Sequence, residues 1–378
     1  RLVNKHKGKF RVSFSITGTA IEQLQKYNPE VIRLLKILAE TGCAEFLAET
    51  YYHSLAFLYS REEFIKQVEK HRILIKDLFE AEPVTFRNTE LIYNNDIASS
   101  AAELGFKNIL AEGADSILGW RSPDYLYRSA VKTGTADTSA DAAAPSALNL
   151  LLKNYRLSDD IAFRFSDKKW KEYPLSAGRY SKWIKDALSD RELINLFMDF
   201  ETFGEHQWRE TGIFSFFQDF VSAIIQKTDI DLILPKEAEA RHKSAGIIDV
   251  PDYTSWADKE RDLSAWTGNA MQRSALNMIY RLENEINQSG SDELIDTWRK
   301  LQTSDHFYYM STKYFQDGEI HKYFNYFHSP YDAFIIYSNI VNDLHETIKE
   351  RMSDENTNVS SVFPSDIVKI PPPIMDAS

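Results

Sequence analysis

The chain has 378 residues, 43% of them apolar, which is enough for one large domain or two ordinary ones with a substantial core. A net charge of −12 without any basic stripe argues against nucleic acid as a partner and leaves a neutral ligand unopposed by the protein's field. The single Cys43 excludes an internal disulfide and a zinc site with two cysteines. It fits a reducing compartment such as the cytoplasm, and no apolar run reaches the ~20 residues that would predict a membrane-spanning helix.

In chain order, six short apolar, β-rich runs predict strands: Phe10–Thr17, Ala44–Thr50, Val84–Leu91, Asn108–Ala114, Ile161–Asp167 and Leu196–Phe203. Helical patterns separate them. Between Ser60 and Glu80, Ser60 and Glu63 are placed to form a capping box while Phe64, Val68 and Ile75 contribute to an apolar face. Alternating strand and helix predicts a parallel sheet, closed or open. The small-residue stretch from Lys132 to Leu148 reads as a mobile loop. From about Glu205 helix patterns dominate, and three successive prolines near the end predict an extended tail or linker. The expected division is 1–230 as a β/α unit, 231–360 as a helical region and 361–378 as the tail.

Parallel sheets gather their chemistry at the C-terminal ends of the strands. Collected there are Glu49 with His53, Arg87 with Glu90, Glu112 with Asp115, Arg164 with Ser166, and Asp199 with Glu201. Alternation puts Asp199 and Glu201 on one face, as it does Glu45 and Glu49. A single carboxylate at a strand end is more often a helix N-cap or a surface ion-pair partner. Several at successive strand ends suggest paired carboxylates, the apparatus of glycoside hydrolysis. Aromatic residues at 13% exceed what a core needs and suit sugar platforms.

The segments "MDFETFGEHQW", "FKNILAEGADSILGWRSPDYLY", "TGCAEFLAETYYHSL" and "TSDHFYYMSTKYF" resemble the fourth, third, second and fifth signature regions of glycoside hydrolase family 57, especially its bacterial α-amylase-like branch. "FRNTELIYNNDIA" and "VPDYTSWADKERDLSAWTGNAMQ" are similar to further stretches of that branch, so that the likeness runs from about Lys7 to Leu344. The resemblance implies an α/β fold, an incomplete (β/α)7 barrel followed by a helical bundle, and an α-glucan substrate. It implies Glu112 as nucleophile and Asp199 as general acid/base of a retaining double displacement. Such a pair is expected about 5 to 5.5 Å apart. Asp199 should hold its proton through burial and the nearby charge of Glu112, with Arg87 or Arg164 supplying the counter-charge to Glu112.

Expected sugar contacts are Glu49, His53, Arg87, Glu90, Glu201, His206 and Asp305, with Trp120, Trp208, Trp256 and Trp266 as ring platforms. A lone histidine is as often a satisfied structural group, and a tryptophan is more often core than platform. No cofactor and no metal are expected: a metal-dependent hydrolase ranks low, because no His-x-x-x-His set at helix spacing is visible. The family's first signature region, a His-Gln-Pro-like stretch, has no counterpart here, and since the chain starts at Arg1 this first strand is expected to be missing from the sequence. Three activities compete: an α-amylase-type hydrolase, a 4-α-glucanotransferase using the same two carboxylates, and a glucan-binding protein without catalysis.

Overall fold

A computed structural model describes residues 1–130, 147–313 and 326–362, with side chains as far as residue 353. The small-residue loop beginning at Lys132 and the proline-rich tail lie almost entirely outside the described residues.

Strands β1 (Val12–Phe14) and β2 (Ala44–Phe46) form a parallel pair. A five-stranded sheet is made of β3 (Thr85–Arg87), β4 (Asn108–Glu112), β5 (Tyr127–Ser129), β6 (Asn149–Lys153) and β7 (Ile247–Ile248), in the order β3-β4-β6-β5-β7. In it β3, β4 and β6 run parallel, β5 is antiparallel to β6, and β7 is parallel to β5. Two parallel bridges extend this arrangement: Ala48 pairs with Phe86, joining the continuation of β2 to β3, and Asn195 pairs with Lys153 beyond β6. Six parallel segments therefore lie side by side, and their C-terminal ends share one edge.

Four predicted strands overlap β1 to β4, whereas the run Leu196–Phe203 is not a strand: it begins one residue after the isolated Asn195 bridge and turns into a 3-10 helix at Phe200–Thr202. The strand predicted over Ile161–Asp167 is not one. Asn154 caps a helix at Tyr155–Ala162 by accepting from the Leu157 amide at 3.0 Å, and turns follow. Its alternating apolar residues instead pack as Ile161 and Phe165 against Tyr180 and Phe216. The missed central strand is β6: Leu150, Leu151 and Leu152 are all buried, and a continuous leucine run between two covered faces shows no period to tell strand from helix.

The helix Arg61–Phe79 starts where expected, with the Ser60 hydroxyl accepting from the Glu63 amide, and Phe64, Val68 and Ile75 are buried. The reciprocal half of the capping box is not made. The Glu63 carboxylate accepts instead from Arg299 at 2.8 and 3.0 Å and from Gln67 at 2.9 Å. The largest apolar cluster runs from the sheet into the C-terminal helices, joining Phe86, Ile109 and Leu150 to Trp266, Trp298, Phe307 and Tyr337. Many of the aromatics are thus core residues: Tyr52, Tyr93, Tyr180, Phe46, Phe64, Phe86, Phe106 and Phe307 are among the largest fully buried side chains. Among the described residues no helix is long and apolar enough to cross a membrane.

Candidate active site

β4 lies between β3 and β6, and its register sets Glu112 opposite Lys153 at the end of β6. A Cβ on the next residue, Gly113, would stand 2.3 Å from the Lys153 carbonyl oxygen and 2.9 Å from Pro123 Cβ, so glycine is what lets the strands end this close together. Glu112 is fully buried, and neither carboxylate oxygen accepts a hydrogen bond among the described residues. Two cations answer it: Lys153 Nζ lies 3.5 Å from one oxygen and Arg261 Nε 3.7 Å from the other. These are ion pairs, too long for strong hydrogen bonds. Burial pushes the Glu112 carboxyl up, and Lys153 and then Arg261 oppose that push. Lys153 also reaches Asp159 at 3.3 Å, and the Arg261 guanidinium lies over the Tyr155 ring at 4.0 Å.

Beyond β6, the Asn195 amide donates to the Leu152 carbonyl at 3.0 Å and holds the next segment alongside. That segment ends at Asp199, whose carbonyl accepts from Thr202 as the chain enters a 3-10 turn at Phe200–Thr202. Asp199 is partly open to solvent, yet protein crowds its carboxyl: burial first, then Glu201 and Glu90, push it to about 7, against Arg87 and Lys153. The leading negative neighbours are thus Glu201 and Glu90, where the sequence pointed to Glu112. Glu201 itself is exposed beside the turn.

A third group surrounds His53. Its Nδ1 lies 3.4 Å from Glu49 Oε2 and its Nε2 2.9 Å from Glu90 Oε1. Burial lowers the imidazole's proton affinity, but the two carboxylates overcome this and hold it up at about 10. Glu49 is opposed by burial in the same way, yet His53, Arg87 and His71 draw it down to about 2. It also accepts from the Ser15 hydroxyl at 2.7 Å. Glu90 accepts from the Trp256 indole at 2.6 Å, and Arg87 lies 4.9 Å and Lys153 5.2 Å from the centre of a Trp256 ring. Asp305 is exposed along one side, but burial raises its carboxyl, with His53 opposing and Glu90 and Glu201 adding to the rise. His53, Glu90, Leu91, Asp258 and Arg261, all on the segments that form the site, have left-handed backbone at φ between 51° and 56°. Such strain in residues with a Cβ persists only where the surroundings impose it, and it is common at functional sites.

The structure therefore brings together Glu49, His53, Arg87, Glu90, Glu112, Asp199, Glu201, Trp256 and Asp305, linked by the contacts and charges above. Trp266 is not among them: it is 1% exposed, in the core beside Tyr308, and offers no platform. Arg164 is not a counter-charge for Glu112, because it pairs with Asp160 at 2.7 Å, and Arg87 faces Glu49 at 3.9 Å. Trp120 and Trp208 are 95% and 60% exposed, on the turns after β4 and after Asp199. The backbone amide of His206 donates to the Glu201 carbonyl at 3.0 Å, and its ring is partly buried. The sequence does not single out Lys153, Arg261 or Tyr155. Lys153 ends β6, the strand without a readable period, and Arg261 lies in the stretch from Val250 to Gln272, where nothing in the local pattern ties it to Glu112.

Over residues 2–251 the chain matches the model of Glycosyl hydrolase family 57. The chain belongs to that family. It is 43% identical over 355 residues to a protein of Methanocaldococcus jannaschii named "Putative alpha-amylase", an alignment covering 91% of this chain and 72% of that protein. Two solved structures of similar fold are the 4-alpha-glucanotransferase of Thermococcus litoralis and a GH57-type branching enzyme of Pyrococcus horikoshii. The first gives a TM-score of 0.60 at 16% identity, covering 81% of this chain and 50% of that one. The second gives 0.61 at 14% identity, covering 88% and 74%. This chain thus spans half the length of the glucanotransferase and about three quarters of the branching enzyme.

Proposed function

We propose that this chain is a retaining α-glucan hydrolase of the α-amylase type, acting on α-1,4 bonds with Glu112 as nucleophile and Asp199 as general acid/base. The observation that carries this is the unequal treatment of the two carboxylates. Glu112 is buried between two cations that favour its charge, while Asp199 is crowded by carboxylates that favour its proton. Double displacement needs one carboxyl ionised and the other protonated; burial raises both, and the cations beside Glu112 with the carboxylates beside Asp199 favour that assignment of the two roles. Glu112 bonds to C1 as the glycosidic C1–O bond breaks, and Asp199 gives its proton to the leaving oxygen. Water then attacks C1, returns a proton to Asp199 and restores the Glu112 carboxylate.

The six parallel segments support a fold of the incomplete (β/α)7 barrel kind centred on residues 1–230, although β7 joins its sheet from beyond residue 230, and the second half of the chain brings Trp256, Arg261 and Asp305 to the site. We assign sugar-hydroxyl contacts to Glu49, His53, Glu90, Glu201, His206 and Asp305, and stacking to Trp256, Trp208 and Trp120. The lone buried Cys43 fits a cytoplasmic protein. Transfer to a second sugar would use the same two carboxylates, with a glucan hydroxyl in place of water.

The test is product analysis from maltoheptaose with the protein and its Glu112→Gln variant. Shorter oligosaccharides from the parent alone are the expected result. Products longer than the donor would assign the transferase instead. Wild-type turnover in the variant would remove Glu112 from the mechanism, and binding without turnover in the parent would leave a glucan-binding protein.

A further inference from the structure

Lys153 stands where three groups of the site meet. Its ammonium is 3.5 Å from Glu112, 3.3 Å from Asp159 and 5.2 Å from the centre of a Trp256 ring. Its backbone carries the junction as well, pairing with Glu112 in β4 on one side and bridging to Asn195 on the other. A lysine that only filled a fold position would have no reason to lie 7% exposed beside a fully buried carboxylate that accepts no hydrogen bond. Burying that pair costs several kcal/mol for each ion, so the fold retains it against a penalty.

We propose that Lys153 is a positioning residue that, together with Arg261, holds the buried Glu112 ionised and in place for attack. The inference rests on the double displacement proposed above. Charge alternates within that cycle. Before attack, Lys153 and Arg261 face the Glu112 anion and keep it available. When its oxygen bonds to C1, Glu112 loses its charge, and its attraction to both cations is lost until water restores the carboxylate. Asp159 holds the ammonium throughout, so Lys153 need not move when its partner is neutralised. Around Glu112 the charged groups are Lys153 from β6, Arg261 from the loop after Trp256, and Asp159 from the helix that follows β6.

Covalent trapping with a fluorinated α-maltosyl fluoride isolates the first half of the cycle. A Glu112 oxygen bonds to C1 while the C1–F bond breaks and fluoride leaves with the bonding pair, so no acid is needed. The rate of labelling, followed across pH by mass spectrometry of the Glu112 peptide, reports the ionised nucleophile. In Lys153→Met the acid side of that profile should move to higher pH, with labelling at its acid end lowered about tenfold relative to the plateau. Lys153→Arg should return it toward the parent profile, and Arg261→Gln, on a loop, should move it in the same direction. A profile unmoved in either Lys153→Met or Arg261→Gln, with Glu112 still labelled, overturns the proposal. So does an equal loss at every pH that Lys153→Arg does not repair, which is the mark of a structural lysine. If the parent is labelled on another residue, the double displacement through Glu112 fails and the proposal falls with it.

Discussion

Asp199 must carry its proton when the glycosidic bond breaks, and burial together with Glu201 and Glu90 lets it do so up to a pH of about 7. Turnover limited by bond cleavage should therefore decline as pH rises through about 7, because the protonated fraction declines. Glu201→Gln removes one of the negative neighbours, so Asp199 gives up its proton more readily and this alkaline side should move to lower pH by about one unit. In Asp199→Asn the alkaline side should vanish, with cleavage of ordinary glucan bonds lowered by about 10²- to 10⁴-fold and an activated aryl glucoside hurt less. Rate profiles of the two variants beside the parent check both outcomes. An alkaline side unmoved by Glu201→Gln would mean that another group sets it. Single residues in the sequence named most of these groups, because a carboxylate after an apolar run is visible without a structure. The cations that answer Glu112 were not legible, since Arg261 is brought in from 149 positions away along the chain.

The strand ends impose their own requirement. β4 and β6 stop together, and Gly113 fits against the Lys153 carbonyl only because it lacks a Cβ. Gly113→Ala should force the two strands apart at the position that holds Glu112 against Lys153. The expected cost in stability is on the order of 2 kcal/mol, as for other overpacked sites, with a larger proportional loss of turnover. Thermal unfolding and activity of one preparation check the two together, and full activity at parental stability would show that the strand ends can give. The same elements explain which strands were readable. β1 to β4 carry alternating or turn-bounded apolar runs, whereas β6 offers three leucines that suit a helix as well. The run at Ile161–Asp167 has strand-like alternation, but the Asn154 cap and the packing of Ile161 and Phe165 against Tyr180 and Phe216 make it the end of a helix.

The two halves of the molecule meet through buried polar contacts as well as apolar ones. Glu63, in the helix Arg61–Phe79, accepts two hydrogen bonds from Arg299 of the helix Asp292–Lys300, and Gln67 donates to Gln302 at 2.9 Å. Arg299→Met would leave Glu63 fully buried and without its cation, and is expected to cost about 3–5 kcal/mol in denaturant unfolding. Adding Glu63→Gln should recover much of that loss, because the uncompensated charge goes with it. A single variant as stable as the parent would show that the link is unimportant. This junction matters to the site, since Trp256, Arg261 and Asp305 all come from the second half of the chain.

Local chemistry was enough to pick out Glu112 at a strand end and Asp199 after an apolar run, because strand alternation and short motifs are properties of neighbouring residues. Burial and long-range pairing are not. Trp256 and Trp266 stand ten positions apart in similar company, yet one is held between the site's charged groups and the other is core. The surroundings that separate Glu112 from Asp199 depend in the same way on which segments the fold brings within a few ångströms, where desolvation and nearby charge act.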